Sequence, residues 1–230
     1  MAHGDARPHS DVDLLAEAGP DPSPWFPGGL GAAWRTSWVA QYRLSPSEAS
    51  LMDSSLEVRP FAGRQEYEQM VDYFLDADDK FLQGMGVDRS RLPPREDWIS
   101  SALRDHDRPN CEKERAYVAW SLDGVAIGHS SINRIQMGRE AFIHLHLWSR
   151  VHRRAGLGIR FFQLSVGQFA RDFSLERLYC EPSAENPGPN RVLLKSEFRF
   201  LKRYRTVPGT INFEQDVNQY VRHFSPASTA

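Results

Sequence analysis

The stretch from His144 to Arg171, HLHLWSRVHRRAGLGIRFFQLSVGQFAR, constrains this chain more than any other. A strand-like run from Phe142 to Trp148 ends in a short polar turn. RRAGLG follows, Arg153 to Gly158, and then an amphipathic helical pattern. Glycine lets backbone approach a ligand closely. The first N–H groups of a helix are unpaired and carry the positive end of its dipole. Strand, glycine loop and helix N-terminus together suit a phosphate or pyrophosphate. The spacing narrows the kind. It is not GxxxxGK followed by Ser or Thr, which excludes a P-loop, and it is not GxGxxG, so the dinucleotide fingerprint fails.

A second element lies downstream. ERLYCEP, Glu176 to Pro182, reads as a short strand. ENPGPNRVLLKSEFRF follows it, with Asn186 ahead of a helical stretch and Phe198 near its end. Strand, R-x-x-G-x-G (Arg153, Gly156, Gly158), helix, strand, Asn186, helix and Phe198 follow one another over about sixty residues. This order resembles the GNAT superfamily of CoA-dependent N-acyltransferases. The resemblance spans Leu56 to Val221 and is strongest from Phe142 to Phe200.

The resemblance implies an α/β (α+β) domain on a mixed, mostly antiparallel central sheet of about seven strands, flanked by helices. The sheet should splay between its fourth and fifth strands, 142–148 and 177–181. It also implies acetyl-CoA as cosubstrate, with no metal. The amides of Arg154, Ala155, Gly156, Leu157, Gly158 and Ile159 would cradle the pyrophosphate, and Arg153 and Arg154 could add charge-assisted contacts. Leu147 and Trp148 would lie beside pantetheine, with the thioester near His146 and Asn186 touching the cofactor arm. Two positions depart from the family pattern. Leu193 stands where many members carry the tyrosine that protonates the leaving thiolate, and Glu197 stands where a glycine is expected before Phe198.

A protonated amine cannot attack a thioester, so a base is needed. His144 and His146 share one strand face because strand side chains alternate. Glu181 ends the neighbouring strand. His146 is favoured, since it lies nearer the strand end where the cofactor arm should enter. The HLH pair has no third ligand at a suggestive spacing, which argues against zinc. By the resemblance, Asp76, Asp78 and Asp79 lie on the helical region lining the acceptor side, where carboxylates attract a cationic amine. The acceptor itself stays open. A small-molecule primary amine leads. A protein N-terminus or lysine, a siderophore-type acceptor suggested by the CEP…EN stretch, and a catalytically degenerate CoA-binding module are the alternatives.

The rest of the chain fits a globular protein. With 230 residues, 40% hydrophobic and 25% charged, it can bury a sizeable core. A formal charge of −2 gives no reason to expect nucleic acid. No apolar run approaches the ~18 residues of a membrane span. The polar N-terminus is no signal peptide. Two cysteines in different elements, Cys111 and Cys180, predict a reduced, cytoplasmic protein. Residues 1–55 read as an extension, mobile at first. An aromatic stripe follows within 25–42 (Trp34, Trp38, Tyr42) that should dock on the acyltransferase domain of 56–225 or form a homodimer surface. Predicted elements are a strand at 56–61, helices over 63–86 and 92–106, and a hairpin over 116–135 turning at Asp123-Gly124. A strand at 141–148, helices over 159–173 and 190–200, and two final strands around Pro208-Gly209 complete the set.

Overall fold

Seven strands form one sheet among residues 55–148 and 156–225, which the computed structural model describes. In chain order the elements are β1 (Leu56–Pro60), α1 (Arg64–Leu75), α2 (Asp79–Gly84), α3 (Arg95–His106), β2 (Arg115–Leu122) and β3 (Val125–Gln136). Then come β4 (Glu140–Leu147), α4 (Leu157–Asp172), β5 (Arg177–Cys180), α5 (Pro187–Lys195), β6 (Arg199–Thr206) and β7 (Gln215–His223). The aromatic segment within 25–42 lies outside the described residues.

The sheet order is β1-β2-β3-β4-β5-β7-β6, and every neighbouring pair is antiparallel except β4–β5. The β2–β3 hairpin turns where the sequence predicts. Asp123 and Gly124 both have positive φ, 50° and 82°. That geometry matches the right-handed twist of the strands it joins.

Three predicted elements differ. The helix expected over 63–86 is two helices. Asp78 caps α2, its carboxylate accepting from Phe81 N at 2.7 Å, so the chain restarts there. The helix expected over 190–200 begins earlier and ends earlier. Asn186 caps it, a proline opens it, and Glu197 stops it in a left-handed conformation, φ 62°. Glu197 thus adopts the backbone for which glycine is the usual residue, and its carboxylate pairs with Arg222 at 2.5 Å. The last two strands are joined by the whole of 207–214 rather than by a tight Pro-Gly turn. That loop is pinned by the carbonyl of Gly86, which accepts from Asn212 Nδ2 at 2.8 Å and Gln215 Nε2 at 3.0 Å.

Each sheet face carries its own core. α4 lays Leu157, Phe161, Phe162, Val166 and Phe169 on one face. Trp120 stacks on Phe161 at 5.5 Å and donates its indole N–H to Ser165 Oγ at 2.9 Å. On the other face α1 brings Tyr67, Met70, Val71 and Phe74, and α3 brings Trp98, Ile99 and Ala102.

The sheet opens at one place. β4 pairs with β5 over only three residues, Glu140↔Arg177, Ala141↔Leu178 and Phe142↔Tyr179. Phe142 and Tyr179 stack at 5.2 Å where the strands part. β4 continues against β3 as far as Gly128↔Leu147. Gly128 is required there. A Cβ on it would lie 2.5 Å from the carbonyl oxygen of His146 and 3.1 Å from Leu147 Cα. Backbone on a paired strand cannot give way cheaply. Gly128→Ala is expected to cost ~1–3 kcal/mol, read as a lower urea midpoint. An unchanged midpoint would mean that β3 and β4 lie further apart at that pair.

Candidate active site

The strand register builds a polar row on the α1/α3 face of the sheet. Tyr117, Ser131 and His144 are cross-strand neighbours there, and His129 lies opposite His146. They form the floor of a cavity of about 1210 Å³. Its walls include Tyr73, Phe74, Phe81, Met85, Trp98 and Ile211. Charged side chains, among them Asp97, Glu114, Arg115 and Glu181, line it as well, so the cavity is mixed in character.

The opening between β4 and β5 exposes backbone. Trp148 N donates to Ile127 O at 2.9 Å. Antiparallel alternation then turns the N–H and C=O groups of Leu145 and Leu147 away from β3, toward the opening. The Trp148 N–H is spent on β3, while the Leu147 side chain sinks into the α4 core. Beyond the opening, α4 starts at Gly156 with no side-chain cap. Gly156 is left-handed, φ 70°, and no described atom comes within 4 Å of a Cβ placed on it or on Gly158. Of the first amides of this 16-residue helix, Ile159 N donates to Gly156 O at 3.2 Å, while those of Leu157 and Gly158 have no helical carbonyl to bond. Arg153, Arg154 and Ala155 lie outside the described residues.

The histidines are neutral at pH 7. Loss of water around the ring holds His146 down to about 3, with His144 adding to the effect. The same desolvation holds His144 down to about 4, helped by the guanidiniums of Arg134 and Arg115. His144 Nε2 is buried without a hydrogen-bond partner among the described residues. His146 stacks on His129 at 4.9 Å and meets the rings of Phe74 and Tyr73 edge-on at 5.0 and 5.7 Å. His129 is held well below the ordinary histidine range by burial first and then by the other two rings.

This depression has a consequence for stability. The unfolded chain binds protons on these rings near pH 6.5, whereas the folded chain refuses them until about 4 for His144. Their contribution is present above pH 6.5 and is lost as pH falls from 6.5 toward 4. The slope is about 1.4 kcal/mol per pH unit for each histidine. Denaturant unfolding between pH 6.5 and 5 should show it, and His144→Gln should reduce it by one such increment. Equal stability at both pH values would contradict the burial of the rings.

Glu181 is already engaged. Its side chain is 4% exposed, accepts from the Tyr204 hydroxyl and from Gln219 Nε2 at 2.7 Å, and pairs with Arg134 at 3.5 Å. Arg134 is left-handed, φ 48°, and spans β5 and the 207–214 loop by donating to Pro208 O at 2.9 Å. Burial and the Glu181 carboxylate raise the Tyr204 hydroxyl to about 12. Asn186 lines the cavity, but its side chain caps α5 through Gly188 N at 3.3 Å and donates to Gly84 O at 3.3 Å. The acidic run expected on the acceptor side does other work. Asp78 caps α2, Asp79 pairs with Arg89, Asp76 ends α1, and none of the three lines the cavity. Among the described residues no cluster of three or more metal-ligating side chains occurs, and no helix is long and apolar enough to cross a membrane.

No protein-family model and no curated protein matches the sequence. Solved structures do match. A ribosomal-protein-S5-alanine acetyltransferase from Vibrio fischeri superposes with TM-score 0.60 at 15% identity, over 76% of this chain and 95% of its own. The aminoglycoside acetyltransferase AAC(6')-Ib in complex with coenzyme A gives 0.56 at 14%, over 74% and 95%. The microcin C7 self-immunity acetyltransferase MccE, in complex with acetyl-CoA and AMP, gives 0.59 at 15%, over 79% and 98%. The fold is the GNAT fold.

Within the GNAT fold, the departure at Leu193 is a core position here. Leu193 is 0% exposed and packs in the α4 cluster. A tyrosine hydroxyl is therefore missing from the cavity for a packing reason as well as a chemical one. Sequence reasoning missed His129 and Leu145. Alternation along GHSS could have placed His129 and Ser131 on one face. Only the strand register sets His129 against His146.

Proposed function

We propose that this protein is an acetyl-CoA-dependent N-acetyltransferase acting on the primary amine of a small molecule. The observation that carries the reading is the opening between β4 and β5. Backbone of Leu145 and Leu147 turns toward it, two neutral imidazoles line the cavity beside it, and α4 begins beyond it without a side-chain cap. Acetyl-CoA supplies the acetyl group as a thioester, already activated. The amides of Leu157 and Gly158 hold the pyrophosphate, with Ile159 beside them and Arg153, Arg154, Ala155 and Gly156 completing the loop. Leu145 and Leu147 hydrogen-bond the pantetheine arm beside Trp148, and Asn186 shapes the far wall through its cap on α5.

His146 takes a proton from the amine, directly or through water, as the nitrogen attacks the thioester carbonyl. His144 lies two residues away on the same face and is the second candidate. Glu181 is the third, but its carboxylate is shared among Tyr204, Gln219 and Arg134. The oxyanion forming on the carbonyl supports the imidazolium. Collapse releases the amide and the thiolate, which takes its proton from water, since Leu193 has none to give. Tyr73, Phe74, Phe81 and Trp98 offer apolar surface to the body of a small amine, and Asp97, Glu114 and Glu181 bring carboxylates to the same cavity.

A peptide N-terminus is the second reading, favoured by the ribosomal-protein acetyltransferase among the similar structures. Free thiol release from acetyl-CoA against panels of small amines and short peptides separates the two. Turnover of small amines is expected. Turnover of peptides alone would favour the second reading, and no thiol release with any acceptor would overturn both.

A further inference from the structure

The aromatic cluster around His146 contains a buried imidazole that the mechanism leaves unused. His129 is 1% exposed, lies directly across the β3–β4 ladder from His146 and stacks on it, ring centroids 4.9 Å apart and planes 19° apart. Its Nδ1 receives the indole N–H of Trp148 at 2.9 Å. An indole nitrogen only donates, so Nδ1 of His129 must be the unprotonated nitrogen, and the single ring proton sits on Nε2. Phe61 and Tyr117 close the other sides of the ring at 6.0 and 6.2 Å.

We propose that His129 is a positioning residue for His146, fixed by Trp148 as a permanently neutral Nε2–H tautomer and stacked against the base to set its ring plane. The proposal rests on the acyl-transfer reading and on His146 as its base. Two physical effects make the arrangement useful. Stacking on one face and ring edges from Phe74 and Tyr73 leave His146 a narrow range of orientations, which a proton transfer between heavy atoms at hydrogen-bond distance requires. Neutrality matters as much. When His146 takes the amine's proton it becomes a cation beside the His129 ring, and a second cation there would oppose it.

Trp148 prevents that, because protonating Nδ1 would break the indole bond. The other titratable or charged groups facing the pair are Tyr117 from β2, Tyr73 from α1 and His144 from β4. Arg115 and Arg134 act on His144. Burial raises the Tyr117 hydroxyl and holds His144 low, so neither ring supplies a charge at neutral pH.

Long-range proton–nitrogen NMR of the nitrogen-labelled full chain tests the tautomer without any acceptor, with His129→Phe identifying the signal. His129 should stay in the Nε2–H form from pH 5 to 8, and Trp148→Phe should let it titrate or mix tautomers. In turnover, His129→Ala should lower kcat by roughly 10–100-fold at unchanged KM for acetyl-CoA. His129→Phe, which restores a neutral ring to the stack, should recover most of that loss. If His129→Ala does not fold, Trp148→Phe serves in its place, with a loss of kcat that grows as pH falls. An Nδ1–H or titrating His129 in the wild type, native kcat in His129→Ala, or no recovery in His129→Phe each overturns the proposal alone. A wild type that releases no thiol removes the acyl-transfer reading, and this role with it, whatever the NMR result.

Discussion

Gly156→Asp is expected to abolish CoA binding while leaving the fold in place. Gly156 stands at the uncapped start of α4 in a left-handed conformation, with no described atom near its missing Cβ. Among the described residues nothing obstructs a side chain there, and Asp is among the residues that tolerate this backbone. A bound pyrophosphate does not leave that room. The new carboxylate would also sit against phosphate and compete for the amides of Leu157 and Gly158. CoA at a hundred times its Kd should stabilise the wild type by about 2.7 kcal/mol, seen as a higher Tm. The variant should show no rise. Gly156→Ala adds the Cβ without the charge and should keep part of the shift. An unchanged shift in Gly156→Asp would remove α4 from the cofactor site.

His146→Gln should lower kcat by ~10²–10⁴-fold while the CoA-induced rise in Tm survives. The ring lies past the last β4–β5 pair, lines the cavity, and is already unprotonated at neutral pH because burial holds it at about 3. That value decides the shape of the pH profile. The base of the free enzyme does not titrate between pH 5 and 8, so the acid limb of kcat/KM belongs to the acceptor amine. Changing to an acceptor of lower pKa should shift that limb downward by a similar amount. A limb fixed near pH 6.5 with every acceptor would mean that a histidine titrates in the ordinary way and that the burial argument fails. Near-native kcat in His146→Gln, with loss in His144→Gln, would move the role two residues along the strand.

Several of these features were legible in the sequence, each for a physical reason. Period-two alternation in AFIHLHLW placed His144 and His146 on one face, and the sheet keeps them there. The glycine pair before a 3.6-period pattern located the start of α4 to within two residues. Asp123-Gly124 fixed the hairpin because that turn demands two positive φ angles. The opening itself came only from the resemblance, since no local pattern tells a strand that its neighbour will diverge.

Other features depend on contacts distant in sequence. His129 meets His146 through the β3–β4 register. Glu181 loses its freedom to Tyr204 of β6 and Gln219 of β7, both beyond the glycine-loop and α5 elements. Asp78 and Asp79 read as an acidic patch, yet one caps α2 and the other pairs with Arg89. Such short-range uses of aspartate compete with any long-range field.

The central claim is that the opening between β4 and β5 is the cofactor site. Amide hydrogen exchange with and without acetyl-CoA tests it residue by residue. Protection should appear at Leu145 and Leu147 of β4 and at Leu157 and Gly158 of α4, while the paired β1–β2 amides stay as they were. Protection elsewhere, or none at a saturating concentration, would contradict it.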